Sequence, residues 1–249
     1  MVLREVVPAA TAPLVLNDGR RATLATVLPL AYPAMVRTDG VVFLGLQVAN
    51  RSGDVSRDLA QALLAALAAP PGTPIVNLDR DDTAPRLQEV LEPRPLDVTV
   101  HDGFEFWLEG VPDPDGEIAS SMQRANSAVI PTARLASVPA AYWCRMPERA
   151  HLLWALPHDE DVALDAMARL AADRRLDLGE GTRYVGSFRA HGLLVPVWDL
   201  PRDTAADEWE APAAALAERL AAELAAPRPL TDAERRARNG LLSRQVTLR

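Results

Sequence analysis

The sequence predicts an α+β protein of two tandem related lobes, each an antiparallel sheet built from hairpins with helices packed on one face. Three observations lead there. β-rich runs recur in pairs around turn residues, apolar positions at helical spacing fill the stretches between the pairs, and the order hairpin, helix, hairpin, helix occurs twice along the chain. With 249 residues, 49% of them apolar, the chain can bury one large core or two small ones. The expected division is an N-terminal lobe over 1–130, a C-terminal lobe over 131–229, and a basic C-terminal helix or tail over 230–249.

In the first lobe, residues 2–18 combine apolar residues with Pro8 and Pro13, which suits a short strand and a loop, and Asn17-Asp18-Gly19 is a turn signal. Arg21 to Leu30 and Val41 to Val48 read as strands joined by a turn at Thr38-Asp39-Gly40, the second apolar on both faces. A helix is expected from Val55 to Ala68, because Val55, Leu59, Ala62, Leu63 and Leu67 recur at helical spacing. Pro70-Pro71-Gly72 stops it. Residues 71–96 are rich in Pro and Asp, and the run Asp79-Arg80-Asp81-Asp82 reads as a solvated loop. Val98 to Trp107 presents two β-rich arms around Asp102-Gly103, the signature of a type I′ hairpin. Pro112 to Gly116 breaks the chain before a helix from Glu117 to Ala128.

The second lobe opens with strands over Ala141–Met146 and Ala150–Leu156 around a turn at Pro147-Glu148-Arg149. Asp159 or His158 caps a helix to Ala172. The stretch from Gly181 to Leu200 is the centre of the sequence: a hairpin whose Ala190-His191-Gly192 turn carries a permissive glycine, with His191, Arg183, Arg189 and Trp198 along it. Pro212 to Ala226 is helical, and Thr231-Asp-Ala-Glu234 is a capping box for a terminal helix rich in Arg235, Arg236 and Arg238. Trp107, Trp143, Trp154 and Trp198 fall in expected strands and belong to cores, whereas Trp209, flanked by acids, is expected at the surface.

Composition removes several functions. The formal net charge of −8 argues against a general nucleic-acid binder. A single cysteine, Cys144, permits neither an internal disulfide nor a multi-cysteine zinc site, and fits a reducing cytoplasm. All 26 basic residues are Arg. Without lysine there is no P-loop lysine, no kinase lysine, and no Schiff-base or pyridoxal-phosphate anchor. The longest apolar run is too short to span a bilayer, and no charged-then-apolar leader follows Met1. No metal and no cofactor is assigned.

Several phrases together carry a resemblance: Leu3 to Thr11, Ser52-Gly-Asp-Val-Ser-Arg-Asp58, Val98 to Phe104, Ala141-Tyr-Trp-Cys144, Leu156 to Asp161, Gly181 to Pro201, and the tail from Gly240 to Arg249. The chain resembles, over essentially its whole length, an uncharacterised actinobacterial family built on a domain of unknown function. Longer members of that family carry an N-terminal zinc motif like the one at the C-terminus of the translocation ATPase SecA. One cysteine cannot hold that zinc, so the resemblance implies a variant without the module and brings no catalytic residues with it.

The candidate chemistry is sparse. His158, Asp159, Glu160 and His191 are the candidate catalytic set, to be joined if the 182–200 hairpin folds over the helix start. Arg183 and Arg189 are candidate ligands for an anion. Arg235, Arg236 and Arg238 are candidate contacts for a partner. His101 sits beside a turn, His151 reads as structural within an apolar strand, and Cys144 reads as buried and inert. The leading expectation is a non-enzymatic cytoplasmic interaction or adaptor domain with a protein partner still to be identified, no membrane contact, and a homodimer left open. The alternative is a metal-dependent or His/Asp-based hydrolase with its site between the lobes. RNA or ribosome association through the Arg-rich tail is the weaker alternative.

Overall fold

The computed structural model describes residues 1–48, 52–79, 81–109, 116–226 and 228–244. The chain forms two compact units: Val7–Val129, and Met1–Val6 together with Ile130–Arg249. The expected break over 112–115, the arginine of the acidic run at 80, the loop positions 49–51 and the tail end at 245–249 lie outside the described residues. Among the described residues no helix is long and apolar enough to cross a membrane. The fold is α+β with two sheets.

The chain begins with a short helix, α1 (Val2–Val6), where the sequence suggested strand or loop. The Val7–Val129 unit follows. Its elements are β1 (Ala10–Val15), β2 (Arg21–Ala25), β3 (Ala34–Val36), β4 (Val42–Gly45), α2 (Val55–Ala68), β5 (Pro74–Ile75), α3 (Leu87–Val90), β6 (Thr99–Val100) and α4 (Glu117–Asn126). Asp54 caps α2 by accepting the Ser56 N–H at 3.1 Å, and Leu59, Leu63 and Ala66 are buried on the helix face that meets β3 and β4.

The sheet runs β5-β3-β4-β2-β1-β6 and is antiparallel except where β2 and β4 run parallel. A simple hairpin over 22–48 is thus replaced by β3 and β4 as the hairpin, inserted so that β4 lies beside β2. The connection carries two consecutive left-handed residues, Leu30 (φ 51°) and Ala31 (φ 56°), at a 3₁₀ turn over Pro29–Ala31.

The expected type I′ hairpin at Val98–Trp107 is also corrected. Only Thr99–Val100 pairs, as β6 with β1, and Glu105–Trp107 forms a 3₁₀ turn. A type I′ turn needs positive φ at both central residues, and neither Asp102 nor Gly103 has it. Three aromatics in four positions decide the outcome. A helical turn sends Phe104, Phe106 and Trp107 together into one cluster with Phe43, Met35 and Leu28, whereas strand alternation would expose one of them. The Trp107 indole N–H donates to the Val27 carbonyl at 3.0 Å, and Asn126 of α4 accepts the Phe104 N–H at 2.9 Å.

The second unit contains β7 (Thr132–Arg134), β8 (Ala141–Arg145), β9 (Ala150–Trp154), α5 (Glu160–Ala172), β10 (Arg183–Ala190), β11 (Leu193–Leu200), α6 (Glu210–Ala225) and α7 (Asp232–Leu242). Its sheet runs β10-β11-β9-β8-β7, all antiparallel. The succession of hairpin, helix, hairpin, helix holds here. The β10–β11 turn places His191 (φ 49°) and Gly192 (φ 82°) in left-handed geometry, as a two-residue hairpin loop requires.

One face of this sheet carries the row Trp143, Leu152, Trp198 and Tyr184, one residue from each of four strands. The row packs with Leu164, Met167, Leu216, Leu220 and Leu241 of the three helices. The Trp198 N–H donates to the Leu176 carbonyl at 2.8 Å. Trp209, expected at the surface, is buried in the same core and donates to the Thr204 hydroxyl at 2.9 Å. Glu208 stays exposed, whereas the Glu210 carboxylate turns back to accept the Ala136 and Ser137 N–H groups, both at 2.8 Å, as the ring closes the start of α6. The terminal helix α7 packs on α5 within this unit.

Candidate functional site

The stretch expected to carry chemistry begins at α5. Asp159 is the cap of that helix, its carboxylate accepting the N–H groups of Asp161 (3.0 Å) and Val162 (3.3 Å). Glu160, one position on, forms a bidentate pair with Arg189 of β10, with Arg189 Nε donating at 2.7 Å and Nη2 to the other oxygen. The Arg189 guanidinium holds the Glu160 carboxyl below its ordinary range, and Glu160 raises Arg189 in return. The hairpin therefore does reach the start of α5, through this pair.

The two histidines go elsewhere. His158 is exposed ahead of α5. His191, on the hairpin turn, places Nε2 3.5 Å from Glu5 Oε1 of α1. In the other unit, His101 contacts the Thr11 hydroxyl through Nε2 at 2.8 Å and lies against the Phe106 ring. No group of three His, Cys, Asp or Glu among the described residues is placed to hold a metal ion.

The tail arginines are engaged within their own unit. Arg238 donates to Asp165 (2.7 Å) and Asp161 (2.5 Å) of α5, and Arg235 donates to Asp232 and the Leu230 carbonyl. Thr231 and Glu234 form the expected capping box. Arg228 binds the Glu234 carboxylate and depresses its pKa to about 2. Arg236 is exposed on the same helix.

A more concentrated arrangement lies on the sheet face opposite the helices. Antiparallel pairing sets Thr132, Cys144, His151, Asp199 and Arg183 side by side across β7, β8, β9, β11 and β10. Directly opposed residues share a face with their Cβ atoms about 5 Å apart, so five strands contribute one continuous row. Asp199 is its hub. Its side chain is 8% exposed, and its oxygens meet Arg183 Nη2 at 3.0 Å, His151 Nδ1 at 3.1 Å and Arg149 Nε at 3.6 Å. The two guanidinium groups reach the acid from solvent, with Arg183 70% and Arg149 56% exposed. The imidazole nitrogen is close to Asp199 but lacks hydrogen-bond alignment, so the contact is not that of an oriented general base.

Cys144, on the other side of His151 in the row, is buried. Burial pushes its thiol up to about 11, with a hydrogen bond from the His151 backbone offsetting only part of the rise. At neutral pH roughly one molecule in 10⁴ carries the thiolate, the opposite of the lowered value a nucleophilic cysteine needs. The row thus resembles a Cys–His–Asp series in order alone. Chemically it is a buried carboxylate that fixes two outward-facing arginines.

Sequence reasoning assigned Arg183 to an anion, read His151 as structural, and passed over Asp199 and Arg149. The signal was available: Asp199 is the lone charge in the apolar run Leu193–Leu200, and a charge in a buried strand needs partners. Counting back from the His191-Gly192 turn places Tyr184 opposite Asp199, and only the bulge at Val185 shifts the register so that Arg183 takes that place.

No curated protein and no solved structure gives a significant match to this chain. A family model covers residues 1–249, and the chain belongs to that family, the family of unknown function DUF5926.

Proposed function

We propose that this protein is a non-enzymatic, cytoplasmic interaction domain whose second unit receives a carboxylate of an acidic protein segment on Arg149, His151 and Arg183. The observation that carries this reading is the Asp199 hub. A buried acid that holds two mostly exposed guanidinium groups leaves their outer N–H donors directed to solvent. Arginine is a preferred anchor at protein interfaces, and one already held in place loses less conformational freedom when a partner arrives. The raised pKa of Cys144 and the misaligned His151–Asp199 contact weigh against a hydrolase at this place. The carboxylates on Arg235 and Arg238 weigh against the tail as an RNA grip.

The test is a titration of the protein with a Glu-rich hexapeptide, followed by NMR through the Arg149 and Arg183 Nε–H signals. Saturable shifts confined to these groups and His151, with affinity reduced about tenfold in Arg183→Gln and falling with salt, are the expected result. Shifts that fail to saturate, or that persist unchanged in Arg183→Gln, would remove the site from consideration.

A further inference from the structure

The Val7–Val129 unit has its own unclaimed feature, independent of the Asp199 hub. On the sheet face carrying Val15, Arg21, Pro13 and Thr23, the aromatic cluster covers only the end toward Ala25 and Phe43. The other end is open. A cleft of about 500 Å³ lies there, with an apolar floor contributed by Pro13, Val15, Val41 and their neighbours and with Arg21 and Arg94 at its margin. That size is within the range of small-molecule sites.

The two arginines are brought together by pairing. Arg21 is the cross-strand partner of Val15. On the other flank of β1, Leu91 bridges Leu16 and the Glu92 N–H donates to the Val15 carbonyl at 2.9 Å, which carries Arg94 to the same end of the strand.

What sets these two apart is that both lie at one apolar cleft. The unit's sequence has nine Arg against sixteen Asp and Glu, so carboxylates are plentiful. Arg20, Arg37, Arg57 and Arg86 each take one, at Asp18, Asp39, Asp54 and Asp54. Asp39, on the turn beside Val41, is already engaged by Arg37 and does not supply a counter-charge to the cleft. Arg21 and Arg94, like Arg124 on α4, have no carboxylate partner among the described residues, although both are exposed and long enough to reach one. Two uncompensated guanidinium groups beside an apolar floor, in a unit with seven more negative than positive charges, are complementary to an amphipathic anion.

We propose that this cleft binds a small molecule with a short aliphatic body and an anionic head, carboxylate or phosphate monoester. The body lies over Pro13, Val15 and Val41, and the head accepts N–H donors from Arg21 and Arg94. Both heads match the planar fork of arginine, so the experiment has an arm for each.

The full-length protein is titrated with octanoate, octyl phosphate and octanol, with affinity read by calorimetry and the site by amide chemical-shift mapping. At least one of the two anions should bind saturably, ten or more times tighter than octanol, with shifts centred on residues 13–15, 21–23 and 40–42. Arg21→Gln and Arg94→Gln, both solvent-side changes, should each weaken that anion about tenfold and leave octanol unchanged. Thr23→Phe, which fills the cleft without touching charge, should weaken all three. Preference for octanoate identifies a carboxylate ligand and preference for octyl phosphate a phosphate monoester. Equal affinity for octanol, anion binding unaffected by Arg21→Gln and by Arg94→Gln, or shifts centred elsewhere would overturn the proposal.

Discussion

Asp199 and Arg183 stand directly opposite one another on β11 and β10, 3.0 Å apart between Oδ2 and Nη2, with the acid buried and the base 70% exposed. The pair is therefore asymmetric. Arg183 can lose its partner and remain solvated, whereas Asp199, buried in its strand, would be left a desolvated charge. Removing Arg183 as Arg183→Gln still leaves Arg149 and His151 at the acid, and the expected loss of stability is under about 1 kcal/mol. Asp199→Ala removes the charged partner of three groups at once, and the expected loss is about 2 kcal/mol. Urea unfolding followed by tryptophan fluorescence measures both. A larger effect from Arg183→Gln than from Asp199→Ala would show that the hub is organised by the arginine.

Cys144 provides a probe of global opening. It is buried and its thiol is raised to about 11 by desolvation, so both access and thiolate population are low in the folded chain. Iodoacetamide at pH 7.5 should label the native protein at least a hundredfold more slowly than the unfolded one, and the rate should rise across the urea transition. Native labelling as fast as that of a free thiol would contradict the burial, and with it the close packing of β8 against β7 and β9.

Glu234 gives a pH dependence with a definite sign. Its carboxyl is depressed from 4.5 to about 2, chiefly by Arg228, so the ionised form is favoured in the folded state. A depressed carboxyl contributes stability that is present above the unfolded value, near 4.5, and is lost as pH falls through the folded value, near 2. Glu234→Gln should accordingly be less stable than the parent chain at pH 7, and the gap should close between about pH 4.5 and 2. The exposure of Arg228 keeps the effect modest. A gap that is independent of pH would show that ionisation of Glu234 does not contribute to the stability of the folded chain.

The parts of this structure that were legible in the sequence are those set by neighbours along the chain. Asp159 and the Thr231–Glu234 box announce α5 and α7 because capping is local, and His191-Gly192 announces the β10–β11 hairpin because the turn itself selects those residues. What was not legible depends on distant pairing. The parallel placement of β4 beside β2 is reached by a connection through left-handed Leu30 and Ala31, residue types that carry no turn signal. Phe104, Phe106 and Trp107 satisfy a β pattern as well as a helical turn, and only the aromatic cluster decides between them. The Asp199 hub required the registers of β9, β10 and β11 together, so His151 read as structural and Glu160 read as a catalytic candidate when its carboxylate is the partner of Arg189.

The attachment of α7 to α5 separates packing from charge. Arg238 bridges Asp165 and Asp161, which are 37% and 82% exposed, so the bridge sits at the solvent boundary. Leu241, on the same helix, is 5% exposed and belongs to the core with Trp198 and Met167. Deleting a buried leucine side chain removes transfer energy and leaves a cavity, which for a site at the edge of a core amounts to about 2–3 kcal/mol. An exposed ion pair contributes under about 1 kcal/mol and is screened by salt. Leu241→Ala should therefore destabilise the chain more than Arg238→Ala in urea unfolding, with Arg236→Ala close to neutral. The Arg238→Ala deficit should shrink in 1 M NaCl, and the Leu241→Ala deficit should not. If Arg238→Ala were the more damaging of the two, the helix would be held by its charges, and the arginines of α7 would then be unsuited to release for any partner.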